Sequence, residues 1–259
     1  MEAESTGKLN IKPMGIGLSL LFFAIPSAMA TFGIYFVMQR LHHNSINDFI
    51  NLSVSMALPL ALLLIAAFVA YKMEGRTFRW KEFSDRFRLR KMTRKDWIYT
   101  LLLFLAQIII YISLSFTPRW LIHFKMFAPP EFLIPAVDPR LEQSILLDSF
   151  LGIPLKGQWW IAIFYFSVLL FNIFGEEFWW RGYIFPRQEL YFKKWTWVVH
   201  GTLWGCFHVF WKWNLLILIP SCLAVSWVIY KRKNTWIGII THMAFNSIPL
   251  IGIIIGIIG

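Results

Sequence analysis

The sequence predicts an all-α, polytopic membrane bundle of seven to eight transmembrane helices. Of its 259 residues, 58% are hydrophobic and only 15% are charged, whereas soluble globular proteins carry roughly 25% charged residues. A water-soluble domain of this length has too little interior to bury so much apolar surface. The 14 tryptophans and 25 phenylalanines suit a bilayer, where amphipathic rings anchor helix ends at the interface.

Seven apolar runs are long enough, or nearly so, to cross a hydrocarbon core roughly 30 Å thick. Six are clear and one is partial, and they cover residues 14–38, 49–71, 97–117, 158–175, 195–211, 214–230 and 235–258. The first begins near Pro13 and is long enough to stay as a span, so we expect no cleavable signal peptide. Pro249 is expected to kink or split the last run.

Between the third and fourth runs lies the proline-rich segment 118–157. Its stretch 141–151 is expected to form an interfacial helix or to add an eighth span. The sequence shows no repeat and no low-complexity linker, so residues 1–259 are predicted to form a single transmembrane domain.

The basic residues lie in the loops between the apolar runs and give a formal net charge of +11. Segment 72–96 alone holds ten Lys or Arg residues, and loops with this bias face the cytoplasm. The basic residues within 181–194 and 231–233 fall on the same side if the spans alternate. The charge therefore indicates membrane topology and contact with acidic lipid, not nucleic-acid binding.

Ionisable side chains are costly inside a bilayer and often functional, and here they cluster in the last third of the chain. They are Glu176, Glu177 and Arg181 after the fourth run, His208 in the fifth, and His242, with the amide of Asn246, in the seventh. Two imidazoles, an amide and a carboxylate suffice for acid–base hydrolysis or for holding a metal.

The spacing within these groups predicts two local arrangements. Glu177 and Arg181 are four residues apart, in the favourable order for an ion pair on a helix. That pairing would leave Glu176, about 100° around the helix, without a partner, which suits a general acid or base. His242 and Asn246 are also four apart and share one helix face.

Several polar and aromatic residues also have structural explanations. Asn172, one turn before Glu176, is expected either to orient that carboxylate or to join helices. Buried histidines often join helices, and His200 is expected to be such a packing residue. Three further groups are expected to have structural roles only. They are the histidines of loops (His42, His43 and His123), the cysteines expected to pack between helices (Cys206 and Cys222) and the tryptophan pairs expected in an aromatic belt at the membrane interface (Trp159-Trp160 and Trp179-Trp180).

Three motifs, in this order, resemble those of the CPBP family, which includes the CAAX prenyl endoproteases and bacteriocin-processing intramembrane peptidases. They are Glu176-Glu177-Phe-Trp-Trp-Arg181, Trp204-Gly-Cys-Phe-His208 and His242-Met-Ala-Phe-Asn246. The resemblance covers about residues 158–250, where the catalytic helices are expected, and family members typically have about eight spans. The family's second motif usually begins with Phe, so Trp204 is a departure that bears on pocket shape more than on chemistry.

The resemblance implies an intramembrane endopeptidase acting on a membrane-associated or lipidated, CAAX-like peptide. It implies that Glu176 and His208 activate a water molecule and that His242 and Asn246 stabilise the oxyanion. The neighbouring pair, Glu177 and Arg181, would hold the first catalytic helix in register.

The sequence alone does not require a cofactor, and zinc stays an open alternative. Glu176, His208 and His242 would be its ligands, since three protein ligands plus water is the usual catalytic arrangement. The sequence lacks the His-Glu-x-x-His spacing of a helical zinc site, which favours a glutamate-dependent reaction over a metalloprotease.

Two other functions stay open at this stage. One is a non-catalytic peptide-binding or immunity protein of the same fold, and the other is a small proton-coupled transporter. The transporter is disfavoured because the sequence shows neither inverted repeats nor paired Gly/Pro-broken helices. In every case one partner is the lipid bilayer. For the endopeptidase and for the peptide-binding protein, the other partner is a hydrophobic or lipidated peptide. We expect a multi-pass integral membrane protein whose site opens towards the cytoplasmic side.

Overall fold

The computed structural model describes residues 11–41, 45–141 and 147–259, and these residues are mostly helical. Their α-helices are α1 (Ile16–Phe32), α2 (Met38–Leu41), α3 (Ser45–Met73), α4 (Trp80–Arg86), α5 (Arg94–Leu114), α6 (Thr117–Leu121), α7 (Trp159–Glu176), α8 (Phe185–Phe192), α9 (Thr196–Phe207), α10 (Leu215–Arg232), α11 (Thr235–Asn246) and α12 (Ile248–Ile258). Gly33–Val37 and Glu177–Ile184 are π-helical, and Lys125–Phe127, Pro135–Val137, Lys193–Trp195 and His208–Asn214 are 3₁₀-helical.

Five helical stretches within the described residues are long and apolar enough to cross a membrane. They are Ile16–Leu41, Phe49–Met73, Arg94–Leu114, Trp159–Arg232 and Thr235–Ile258. This pattern confirms a helical membrane bundle but does not confirm seven to eight spans. The reason is that the runs predicted at 158–175, 195–211 and 214–230 all fall inside the stretch Trp159–Arg232, which is divided into shorter helices by non-helical backbone at Lys193 and Trp211. Within it α9 has only 12 residues, a length of roughly 18 Å, too short to cross the core alone.

The segment before α7 contains a short hairpin in place of a helix. Strand β1 (Ser149–Phe150) pairs antiparallel with β2 (Ile153–Pro154). Leu151 and Gly152 between them have φ angles of 51° and 82°, and two consecutive positive φ angles are typical of a tight hairpin turn. The predicted helix or extra span over 141–151 is therefore wrong from residue 147 onwards, and residues 142–146 lie outside the described residues.

The last apolar run is split in two, as predicted. α11 ends at Asn246 and α12 begins at Ile248. Pro249 lies in the first turn of α12, where its missing N–H leaves no intrahelical hydrogen bond unmade.

The basic segment after α3 packs onto the π-helical segment Glu177–Ile184. The buried guanidinium of Arg86 donates from Nη1 to the carbonyl oxygen of Gly182 at 2.7 Å. Thr235, at the start of α11, donates from Oγ1 to the carbonyl oxygen of Phe87 at 2.7 Å. Residues 86–87 thus tie the π-helical segment to the start of α11, and both of these elements carry candidate site residues.

The aromatic-belt prediction holds for one pair and fails for the other. Trp159 and Trp160 are exposed, as contact with an interface requires. Trp179 and Trp180 are buried, and the ring of Trp180 stacks on Phe23 with centroids 4.2 Å apart. This pair therefore belongs to the core between α1 and the π-helical segment.

Other residues were predicted to be structural. His200 is buried and its Nδ1 lies 2.6 Å from Oε1 of Gln188, which confirms a packing role. Cys222 is buried, as predicted, whereas Cys206 is exposed and does not pack inside the bundle. His123 lies in the turn after α6, and the loop histidines His42 and His43 lie outside the described residues.

Candidate active site

The first motif lies where α7 changes into a π-helix. Glu176 is the last residue of α7, and Glu177 is the first residue of the π-helical segment. All eight residues of that segment are buried. A π-helical turn holds an extra residue, which changes the direction of the side chains that follow, and such turns are frequent at functional sites.

Glu176 is held by two neutral hydrogen-bond donors. Its Oε1 accepts a hydrogen bond from Nδ2 of Asn172 at 2.7 Å, and its Oε2 accepts one from Nε1 of Trp204 at 2.7 Å. The residue as a whole is only 2% exposed. The expectation that Glu176 has no partner was therefore wrong, because neighbours from α7 and α9 bind both of its oxygens.

Asn172 performs both of the roles that the sequence left open. Besides donating to Glu176, it accepts a hydrogen bond at its Oδ1 from Nδ2 of Asn246, at 2.8 Å. Asn246 also accepts a hydrogen bond at its backbone oxygen from the hydroxyl of Tyr165, at 3.0 Å. The amide of Asn172 thus orients the carboxylate and joins α7 to α11.

Glu177 lies at the centre of a second polar group. Its Oε1 is 3.3 Å from Nη1 of Arg181, and both side chains are fully buried, which confirms the predicted ion pair. The same oxygen lies 3.1 Å from Nδ1 of His242. A carboxylate only accepts, so Nδ1 of His242 carries the proton and Nε2 points elsewhere. The sequence did not predict this second link, which joins the first and third motifs.

Trp204 contributes more than the shape of a pocket. Its ring lies under the guanidinium of Arg181, with 3.4 Å between that group's central carbon and the ring centroid, a cation–π contact. None of the nitrogens of Arg181 has a hydrogen-bond partner within the described part of the chain. The buried charge of Arg181 is therefore balanced by Glu177 and the indole face.

His208 follows the last residue of α9 and is half-buried. Its Nδ1 lies 3.0 Å from the carbonyl oxygen of Trp204. Because a carbonyl only accepts, Nδ1 carries the proton, and Nε2 keeps a lone pair. The rings of His208 and His242 lie 6.1 Å and 5.9 Å from the ring of Trp204. The structure therefore brings all three motifs together around Trp204.

The predicted zinc ligands do not converge on one point. A carboxylate and two imidazoles are suitable donors for zinc. However, no group of three His, Cys, Asp or Glu side chains in residues 11–41, 45–141 and 147–259 is placed to hold a metal ion. The residues do not fit zinc in this arrangement.

Residues 158–248 match the family model described as type II CAAX prenyl endopeptidase Rce1-like. The match includes all three motifs and confirms the resemblance suggested by them. No curated protein and no solved structure matches the chain. Together with the five apolar helical stretches, the match identifies an integral membrane protein that is similar to type II CAAX prenyl endopeptidases over residues 158–248.

Proposed function

We propose that the protein is an intramembrane endopeptidase that cleaves a membrane-associated or lipidated, CAAX-like peptide through a water activated by Glu176 and His208. The observation that carries this proposal is the meeting of the three motifs in one hydrogen-bonded cluster. Glu176 is linked to the third motif through Asn172 and Asn246 and to the second motif through Trp204. A set of merely structural polar residues has no need to join carboxylate, imidazole and amide groups in this way.

Water activation is assigned to Glu176 and His208. Each oxygen of Glu176 accepts one hydrogen bond from the protein and retains a lone pair, so it can accept the proton of a water molecule. Nε2 of His208 also has a lone pair, since its Nδ1 is directed to a backbone carbonyl. A carboxylate and a neutral imidazole can share the proton that water loses and later return it to the leaving amine.

Stabilisation of the tetrahedral intermediate is assigned to His242 and Asn246. Nδ1 of His242 is directed to Oε1 of Glu177 at 3.1 Å, so Nε2 is the nitrogen left to face the substrate, and a ring with protons on both nitrogens donates from Nε2 to the oxyanion. Asn246 uses one N–H to bind Asn172 and has a second for the substrate. Such fixed donors are most effective where water is excluded.

Access from the cytoplasm is supported by the distribution of charge. α10 ends with Lys231 and Arg232, and α11 starts directly after Asn234. The basic C-terminal end of α10 and the first residue of α11 therefore lie at the same end of the bundle. The basic segment between α3 and α5 contacts that same end. By the positive-inside rule this end faces the cytoplasm.

The test is cleavage by the purified protein in lipid nanodiscs, with a farnesylated CAAX peptide and its unprenylated form as substrates. Glu176→Gln keeps the shape of the side chain but removes the base, and we expect turnover to fall by at least about 100-fold. Glu131→Gln is the control, because it makes the same change at an exposed residue remote in sequence from the motifs.

Two results would contradict the proposal. Unchanged turnover by Glu176→Gln would remove this residue from the reaction. Tight binding of the peptide by the native protein without any cleavage would instead identify a non-catalytic peptide-binding protein.

A further inference from the structure

Trp204 contacts four groups of the candidate site and is itself only 5% exposed. Its indole N–H donates to Oε2 of Glu176, and its ring lies under Arg181. Its carbonyl oxygen accepts from His208, and its ring approaches His242 edge-on. The side chain therefore lies between the group assigned to water activation and the buried ion pair.

We propose that Trp204 is a positioning residue, whose indole N–H fixes the plane of the Glu176 carboxylate for water activation. This inference rests on the function proposed above. The terminal torsion of a glutamate side chain is broad, so the donor Asn172, bound to one oxygen only, leaves the carboxylate free to rotate. A second donor on the other oxygen, from a different helix, removes that freedom.

The nitrogen of the indole is the part of the side chain that matters here. A phenylalanine at position 204 would keep an aromatic face for the guanidinium of Arg181. It would leave Oε2 of Glu176 without its protein donor, in surroundings where a lost hydrogen bond is not readily replaced by solvent. Trp204→Phe thus separates the hydrogen bond from the cation–π contact.

Trp180 provides a matched control. It is fully buried, and its Nε1 has no hydrogen-bond partner within the described residues. Trp180→Phe therefore makes the same change in volume inside the core without removing a hydrogen bond.

The kinetic test compares kcat and KM of the two variants in nanodiscs. Loss of a hydrogen bond to a charged group is expected to lower kcat of Trp204→Phe by about 10- to 100-fold, with KM nearly unchanged because the indole N–H is already used in the bond to Glu176. Trp180→Phe should keep the native kcat. If the two variants lose the same activity in proportion to their thermal stability, Trp204 has only a packing role and the inference is wrong.

A second measurement does not depend on peptidase activity. The ¹⁵N–¹H resonance of the Trp204 indole, assigned by its absence in Trp204→Phe, should shift in Glu176→Gln, because a neutral amide oxygen is a weaker acceptor than a carboxylate. The Trp180 resonance should not move. If the Trp204 resonance does not shift, the inference is wrong even if the protein is a peptidase. If the resonance shifts but the native protein cleaves no peptide, only the proposed function is wrong.

Discussion

Arg86 is expected to be a major source of stability where the basic segment meets the π-helical segment. Its side chain is fully buried. Nε and Nη2 donate to the two oxygens of Glu74 at 2.6 and 2.7 Å. Nη1 donates to the carbonyl of Gly182 at 2.7 Å, and Nη2 reaches that of Tyr183 at 3.4 Å. Arg86→Ala removes all of these contacts at once.

The size of the effect follows from what the substitution leaves behind. Breaking a buried ion pair from one side costs about 3–5 kcal/mol, and a buried carbonyl left without a donor adds about 1–3 kcal/mol. Two features reduce the total: Glu74 keeps a hydrogen bond from Nε of Arg76 at 2.9 Å, and it is 16% exposed, so water screens part of its charge. We therefore expect the free energy of unfolding to fall by about 3 kcal/mol.

The assay is equilibrium unfolding by SDS in mixed micelles, followed by circular dichroism. Arg79→Ala is the control, because Arg79 is an exposed arginine in the same basic segment, and its removal should change stability by less than about 0.5 kcal/mol. An Arg86→Ala protein as stable as the control would show that the Arg86 contacts do not hold this segment to the π-helix.

Three further predictions concern pH, packing and metal content. Burial raises the pKa of the Glu74 carboxyl, but the hydrogen bonds and charges of Arg86 and Arg76 lower it more, so the net shift is downward. The ionised Glu74 carboxylate therefore contributes its full stabilisation of the fold above the unfolded pKa of about 4.3. This contribution is lost as the pH falls through the pKa of the folded state. Unfolding measurements between neutral and acid pH should show the loss in the native protein and a smaller loss in Arg86→Ala. Gly238→Ala places a Cβ against the Glu177 carboxylate and should lower the free energy of unfolding by about 1–3 kcal/mol. Gly17→Ala, whose Cβ would meet open space, is the control and should be tolerated. Equal stability of the two variants would contradict this packing. Purified active protein should contain no stoichiometric zinc by elemental analysis, and one zinc per chain, with activity lost on stripping and restored on re-addition, would establish a metalloprotease.

The class of fold could be predicted because apolar runs of bilayer length leave a chain few alternatives to helices. The number of spans could not. By hydropathy, residues 195–211 form one apolar run. In the structure, however, α9 ends at Phe207 and is followed by a 3₁₀-helix. The change of helix type depends on packing, and no composition window records it.

The local parts of the site were also predictable, since a spacing of four on one helix is enough to pair Glu177 with Arg181. The contact between Trp204 and Glu176 was not, because it depends on how α9 packs beside the end of α7. The inward direction of Trp179 and Trp180 was missed for a related reason: a π-helical turn breaks the 3.6-residue periodicity from which the faces of a helix are assigned.

Arg86 was missed because it is one of ten basic residues in segment 72–96. In a sequence these residues all look like a solvated, lipid-facing loop. Only the fold shows that Arg86 turns inwards to Glu74 and to two carbonyls of the π-helical segment, while Arg79 remains exposed.

On the function proposed above, the length of α9 determines how far a peptide must reach into the protein. His208 lies one residue beyond this 12-residue helix, so it is up to roughly 20 Å from the helix end that carries Lys193 and Lys194. An extended peptide covers about 3.3 Å per residue and needs about six residues to reach that depth. For the endopeptidase proposed above, a substrate would therefore need an unstructured tail of about this length between its last folded element and the bond to be cut, and a compact domain ending closer to that bond would be excluded by its size.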